Sequence, residues 1–141
     1  MRVLLWPESF HEEQLGEVDK LLATRMSGTL PAIIFVSENA DGALTGFLEV
    51  GLRSHADGCD TARPVGFIEG WFVREEVRGC GVGRQLMRAA EEWCRQQGCL
   101  EMASDALIDN QESQLAHSAL AFEVVDRCVH FRKPLPDPAA G

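Results

Sequence analysis

One stretch constrains the fold of this chain more than any other. Gly66-Phe-Ile-Glu-Gly-Trp-Phe-Val73 reads as a strand, the chain from Val82 onward reads as a helix, and Arg78-Gly-Cys-Gly-Val-Gly83 lies between them. A strand, a glycine loop and a helix in that order make an anion-binding arrangement. The first N–H groups of a helix have no intrahelical partner and sit at the positive end of its dipole. Glycines let the backbone approach a ligand without a Cβ in the way. The spacing separates three phosphate loops. A dinucleotide fingerprint, G-x-G-x-x-G, fails because the sixth position is Arg84 counted from Gly79 and Leu86 counted from Gly81. A P-loop needs Gly-Lys followed by Ser or Thr, a tripeptide the chain lacks. The pattern that remains is R-x-x-G-x-G, carried by Arg78, Gly81 and Gly83.

The elements around this loop predict a mixed α/β sheet in the order α-β-β-β-α-β-α-β. Ser9 and Glu12 have capping-box spacing, and Leu15, Val18, Leu21 and Leu22 form an apolar helical face behind them. Ala32–Ser37 and Leu44–Leu52 read as a hairpin around Asp41-Gly42. Residues 53–64 are polar and read as a long loop, the kind that carries ligand contacts. Gly70 inside the next strand signals a bulge or a close backbone approach. The helix after the loop carries Val82, Leu86, Ala90 and Trp93 on one stripe, with Met87 and Cys94 beside it, and ends near Gly98. A short strand at 100–104, a helix at 110–120 and one or two strands within 123–133 complete the set. At 141 residues the chain is expected to form one domain over 1–133. Prolines 134, 136 and 138 predict a frayed, flexible tail over 134–141.

Charge narrows the function. Thirteen Lys and Arg against 22 Asp and Glu give −9, the wrong sign for a general nucleic-acid binder and the right sign for a cationic partner. Yet Arg74, Arg78, Arg84 and Arg88 place four of the 13 basic residues around the glycine loop. The simple alternative is that they complement Glu75, Glu76, Glu91 and Glu92. No run approaches the roughly 18 apolar residues of a membrane span, and the first residues lack the layout of a signal peptide. Five cysteines without a C-x-x-C pair, and four histidines without H-x-x-x-H, predict reduced thiols in the cytoplasm and no metal site.

The R-x-x-G-x-G loop in this setting resembles the pyrophosphate loop of the GCN5-related N-acetyltransferase (GNAT) superfamily. So does the Ala119-Leu-Ala-Phe122 ending of the penultimate helix. Leu5-Trp-Pro7, Gly58-Cys-Asp60, Phe67-Ile-Glu-Gly70, Glu101-Met-Ala-Ser-Asp105 and Phe131-Arg-Lys133 are similar to the aminoglycoside 6'-N-acetyltransferase branch. The resemblance implies a GNAT fold, with a mixed sheet flanked by helices. It also implies acetyl transfer from acetyl-CoA to a primary amine of a polycationic small molecule, without a metal. Backbone groups of Trp71, Phe72 and Val73 would pair with the pantetheine arm. Arg78, Gly79, Cys80, Gly81, Val82, Gly83 and Arg84 would hold the pyrophosphate, and Asn110 would contact the coenzyme or simply cap its helix. Glu69 and Asp105 are the expected catalytic carboxylates. They would bind substrate amines, with Glu69 also a water-relayed base. Trp6, His55 and Asp126 complete the expected substrate contacts, and the branch's C-terminal strands imply a homodimer.

The chain departs from the pattern in two places. It contains no tyrosine, so the superfamily's usual acid for the departing thiolate is missing, and His117 stands at the matching position. It also begins close to Leu-Trp-Pro, so about 16–18 residues of the family's usual start are expected either to be dispensable to the fold or to lie upstream. The usual first strand is therefore expected to be absent. Two other functions fit the same residues: acetylation of another amine, such as a polyamine or a protein N-terminus, and coenzyme A binding without catalysis.

Overall fold

The computed structural model describes residues 26–27 and 30–140. The expected first helix, with Ser9 and Glu12, and the expected loss of a first strand lie outside these residues. The described chain forms two compact units, one within residues 1–105 and one within 106–141.

The first unit is built on a sheet in the order β1-β2-β3-β4-β5. Its strands are β1 (Met26–Ser27), β2 (Leu30–Glu38), β3 (Leu44–Arg53), β4 (Val65–Val73) and β5 (Met102–Ser104). β1 through β4 pair antiparallel, and β4 pairs with β5 in parallel. The sheet is therefore mixed, as expected, and each core strand falls within two residues of its expected limits. The turn between β2 and β3 forms around Asn39. Its Oδ1 accepts from the N–H groups of Asp41 and Ala43, at 3.0 Å each, and Gly42 takes φ 80°. The Asp-Gly signal thus marks the right turn, with the asparagine before it supplying the closing bonds.

Helix α1 (Val82–Gln96) packs on β2, β3 and β4. Leu86, Met87, Ala90 and Cys94 are buried, on the side of the sheet that carries the buried Leu48, Val50 and Ile68. The buried stripe is rotated from the expected one: Met87 and Cys94 lie on it, and Trp93 is only half-buried. The helix ends in a Schellman motif. Gly98 N–H donates to Arg95 O at 3.0 Å, Cys99 N–H donates to Cys94 O at 3.0 Å, and Gly98 has φ 86°.

The second unit holds helix α2 (Gln111–Ala119). The expected strands within 123–133 do not form: no ladder includes these residues, and Val124, Val125, Val129 and Phe131 are exposed. A strand needs the N–H and C=O groups of a neighbour, and no described segment supplies that ladder. The tail also differs from expectation at one point. Pro138–Ala140 closes a single 3-10 turn, which a proline can open because the first N–H of a helix needs no partner.

Candidate functional site

β4 has β5 beside it only for Gly66, Phe67 and Ile68, which pair with Met102, Ala103 and Ser104. Past that point the two parallel strands part. Glu69 and Asp105 are the first residues beyond the last paired rung, one on each strand where the gap opens. Glu69 is also the extra residue of a bulge: Glu49 pairs with Gly70, while Val50 already pairs with Ile68. A bulge bends its strand and re-aims a side chain, which is what the glycine at position 70 signalled.

Beyond Glu69, residues Trp71, Phe72 and Val73 pair with Leu48, Phe47 and Gly46 of β3 on one side. Their other side has no β5 rung. That edge suits an extended ligand carrying amide groups, which can pair as an added strand does. The glycine loop follows directly. Gly79 and Gly81 take φ 81° and 87°, a conformation that favours glycine, and a Cβ at either position would meet nothing within 4 Å. The space over the loop is thus open, as a phosphate cradle requires. Gly81 is the N-cap of α1 and no side chain caps the helix; its first ladder bond is Gln85 N–H to Gly81 O, 3.0 Å. The N–H groups of Gly81, Val82, Gly83 and Arg84 precede that bond, so they are the orphan donors an anion takes. Cys80 differs, since its N–H is spent on Val77 O at 3.3 Å. Gly83 has a packing role, because a Cβ there would lie 3.2 Å from the Trp71 ring.

The arginines divide into two kinds. Arg74 Nε donates to Leu44 O at 2.7 Å and Arg78 Nε to Val73 O at 3.0 Å, which ties both side chains to the backbone beside the gap. Arg84 and Arg88 are exposed one turn apart on α1. Among the described residues, Glu91 and Glu92 pair with Arg95 and not with these arginines. Arg84 and Arg88 thus set positive charge on the first turns of α1, which favours a phosphorylated ligand.

Glu69 already holds a cation. Arg53 Nε donates to Glu69 Oε1 at 3.0 Å, and the Arg53 terminal nitrogen donates to Oε2 at 2.9 Å. The guanidinium lies 3.5 Å from the centre of the Phe67 ring. Sequence reasoning missed Arg53, which it assigned to the start of a polar loop. Only the β3–β4 pairing carries Arg53 across to Glu69.

Other expected residues are more dispersed. Trp6 lies outside the described residues. His55 is exposed in the 54–64 loop, with Nδ1 3.1 Å from Ser54 Oγ. Asn110 and Asp126 belong to the second unit. Asn110 Oδ1 accepts from Ser113 N–H at 3.0 Å and so caps α2; Asp126 Oδ1 accepts from Arg127 N–H at 2.7 Å. In the same unit, His117 Nδ1 lies 2.7 Å from Ser113 O, and its ring meets Phe122 edge-on at 5.2 Å. Donation to that carbonyl puts the proton on Nδ1. These contacts hold the ring as a structural group. Among the described residues no three His, Cys, Asp or Glu side chains cluster as metal ligands, and no helix is long and apolar enough to cross a membrane.

Comparison with known proteins shows the family. The sequence model of the acetyltransferase (GNAT) family matches residues 1–122. The chain is 39% identical to aminoglycoside N(6')-acetyltransferase type 1 of Stenotrophomonas maltophilia, over 99% of this chain and 86% of that one. It is 38% identical to the protein of the same description from Klebsiella aerogenes, over 96% and 87%. Among solved structures it is similar to AAC(6')-Iy in complex with the bisubstrate analogue CoA-S-monomethyl-acetylneamine. The TM-score is 0.83 at 35% identity, covering 96% of this chain and 88% of that one. AAC(6')-Iy in complex with CoA superposes with a TM-score of 0.80 at 36% identity, covering 95% and 84%.

Proposed function

The chain belongs to the acetyltransferase (GNAT) family, and from that membership we propose that it transfers acetyl from acetyl-CoA to the 6'-amine of an aminoglycoside. It is an acetyltransferase enzyme of the aminoglycoside 6'-N type, the activity named for relatives matched over nearly their full length. The observation that carries the reading is the parting of β4 from β5. The β4 stretch without β5 rungs, the open glycine loop that follows it, and the two carboxylates just past the last rung support the reading.

Each part has a chemical task. The β4 edge at Trp71, Phe72 and Val73 takes the amides of the pantetheine arm. The N–H groups from Gly81 to Arg84 take the pyrophosphate, with Arg78, Cys80 and the open space over Gly79 and Gly81 completing the cradle. Asn110 adds a coenzyme contact beyond its capping bond. Glu69 and Asp105 hold the acceptor ammonium, and Glu69 draws its proton away through water. A primary amine titrates near 10.4, so it must lose a proton before it can attack. A backbone N–H in the 71–73 stretch stabilises the charge on the thioester carbonyl. Trp6, His55 and Asp126 shape the acceptor site. The coenzyme thiolate leaves with a proton from solvent, since the contacts of His117 favour a structural role.

The same proposal includes one acetyltransferase domain over 1–133, a tail over 134–141 and a cytoplasmic location, where reduced thiols persist. It also includes a homodimer. The exposed Val124, Val125, Val129 and Phe131, on a β-prone segment without a ladder, support it. The test is thiol release from acetyl-CoA with kanamycin or tobramycin as acceptor, run beside spermidine and a peptide N-terminus. Turnover is expected with the aminoglycosides. Turnover with the polyamine or the peptide alone would overturn the substrate assignment, and coenzyme binding without any turnover would overturn the enzyme assignment.

A further inference from the structure

The carboxylate assigned to the acceptor amine is already forked by a guanidinium belonging to the chain itself. Arg53 donates to both Glu69 oxygens, Nε to Oε1 at 3.0 Å and the terminal nitrogen to Oε2 at 2.9 Å, with that nitrogen also 2.8 Å from Oε1, and the guanidinium stacks on Phe67. Two constraints of strand geometry create this contact. Arg53 is the last residue of β3, opposite Val65, and the bulge at Glu69 re-aims the carboxylate. Both side chains remain partly open to solvent, at 46% for Arg53 and 34% for Glu69. A pair with that exposure is weak enough to open, while its bidentate geometry makes it stronger than a common surface ion pair.

We propose that Arg53 is a counter-ion latch on Glu69: it occupies the carboxylate in the free enzyme and gives way to an ammonium group of the acceptor. The inference rests on the reading of Glu69 as an acceptor-binding carboxylate. An arriving ammonium and the guanidinium compete for the same two oxygens. The acceptor therefore binds only the fraction of molecules in which the fork is open, and its apparent affinity falls by that fraction. Arg53 touches neither the reacting atoms nor the coenzyme cradle on this account. It is a positioning residue that sets acceptor affinity, and it keeps an anionic side chain satisfied until a cation of the right shape displaces it.

Steady-state kinetics of the full chain test the latch, with kanamycin varied at saturating acetyl-CoA. Arg53→Gln keeps a stem over Phe67 and removes the charge. It is expected to lower the acceptor KM by about two- to fivefold, the range a partly exposed ion pair supports. kcat and the KM for acetyl-CoA should not move. Arg53→Lys keeps a cation without the fork and should fall between the two. Glu69→Gln should raise the acceptor KM, and adding Arg53→Gln to it should bring no further gain. If Glu69→Gln raises KM while Arg53→Gln leaves it unchanged or raises it, the latch is wrong and the role of Glu69 stands. If Glu69→Gln changes neither KM nor kcat, the role of Glu69 fails and the latch fails with it.

Discussion

Gly66 of β4 and Cys94 of α1 meet so closely that a Cβ on the glycine would overlap the sulfur atom. Cys94 is buried at 2% exposure, and Gly66 pairs with Met102 at the start of the short β4–β5 ladder. The contact therefore sets how near the coenzyme-side helix lies to the strand that carries Glu69. Gly66→Ala is expected to destabilise the fold by about 1–3 kcal/mol, the usual cost of forcing an extra carbon into a packed core. Adding Cys94→Ala removes the sulfur and should recover part of that loss, although the Cys94 Cβ would remain 3.2 Å away. Urea unfolding of the two single variants and the double variant checks this. Strictly additive losses would mean that the two positions do not share one space.

The loop makes a prediction of the opposite kind, a loss of binding without a loss of fold. Gly81 has φ 87° and open space where a Cβ would be. Gly81→Asp would introduce backbone strain of about 1–2 kcal/mol and set a carboxylate where the orphan N–H groups await an anion. Coenzyme A should then fail to raise the melting temperature, while the unliganded melt stays cooperative. Gly81→Ala shares the strain without the charge, and should keep part of the coenzyme response. Equal coenzyme stabilisation of Gly81→Asp and the parent chain would show that the anion sits elsewhere.

The thiols predict a pH dependence. Burial, reinforced by the neighbouring Cys99, pushes the Cys94 thiol up to about 12 from 9.0. Burial also pushes the Cys99 thiol up. The native state therefore keeps its Cys94 proton where the unfolded chain has lost it. The stabilisation from this group is complete below pH 9 and drains away between 9 and about 12, at up to about 1.4 kcal/mol per pH unit. Denaturant midpoints measured from pH 8 to 11 should fall on the alkaline side, and less steeply in Cys94→Ala. Exposed Cys80 and Cys128 should react with a thiol reagent at pH 8 in the folded protein, and Cys94 only after unfolding. Fast labelling of Cys94 in the native state would contradict its burial.

Local signals made much of this protein legible. The helix after the loop was readable because its apolar residues recur at helical spacing and Gly98 ends it. The β2–β3 hairpin was readable because Asp41-Gly42 suits only a tight turn. The glycine loop was readable because its positive φ angles require the residues present at 79 and 81. The family resemblance points to Glu69 and Asp105, and the R-x-x-G-x-G spacing points to an anion-binding loop.

The chain order could not supply the relationships between strands. Periodicity says which face of a strand is apolar, but not which residue of a distant strand lies opposite. The register that makes Glu69 and Asp105 the first residues past the last β4–β5 rung is such a relationship. So is the pairing that carries Arg53, taken from sequence for a loop residue, onto the Glu69 carboxylate. The segment 123–133 shows the same limit from the other side. Its β-prone composition is a local property, but a strand exists only where a neighbouring backbone accepts and donates its hydrogen bonds. Residue identity and short-range pattern determine the elements and the chemistry they carry; the register between strands, a long-range property, decides which charges meet.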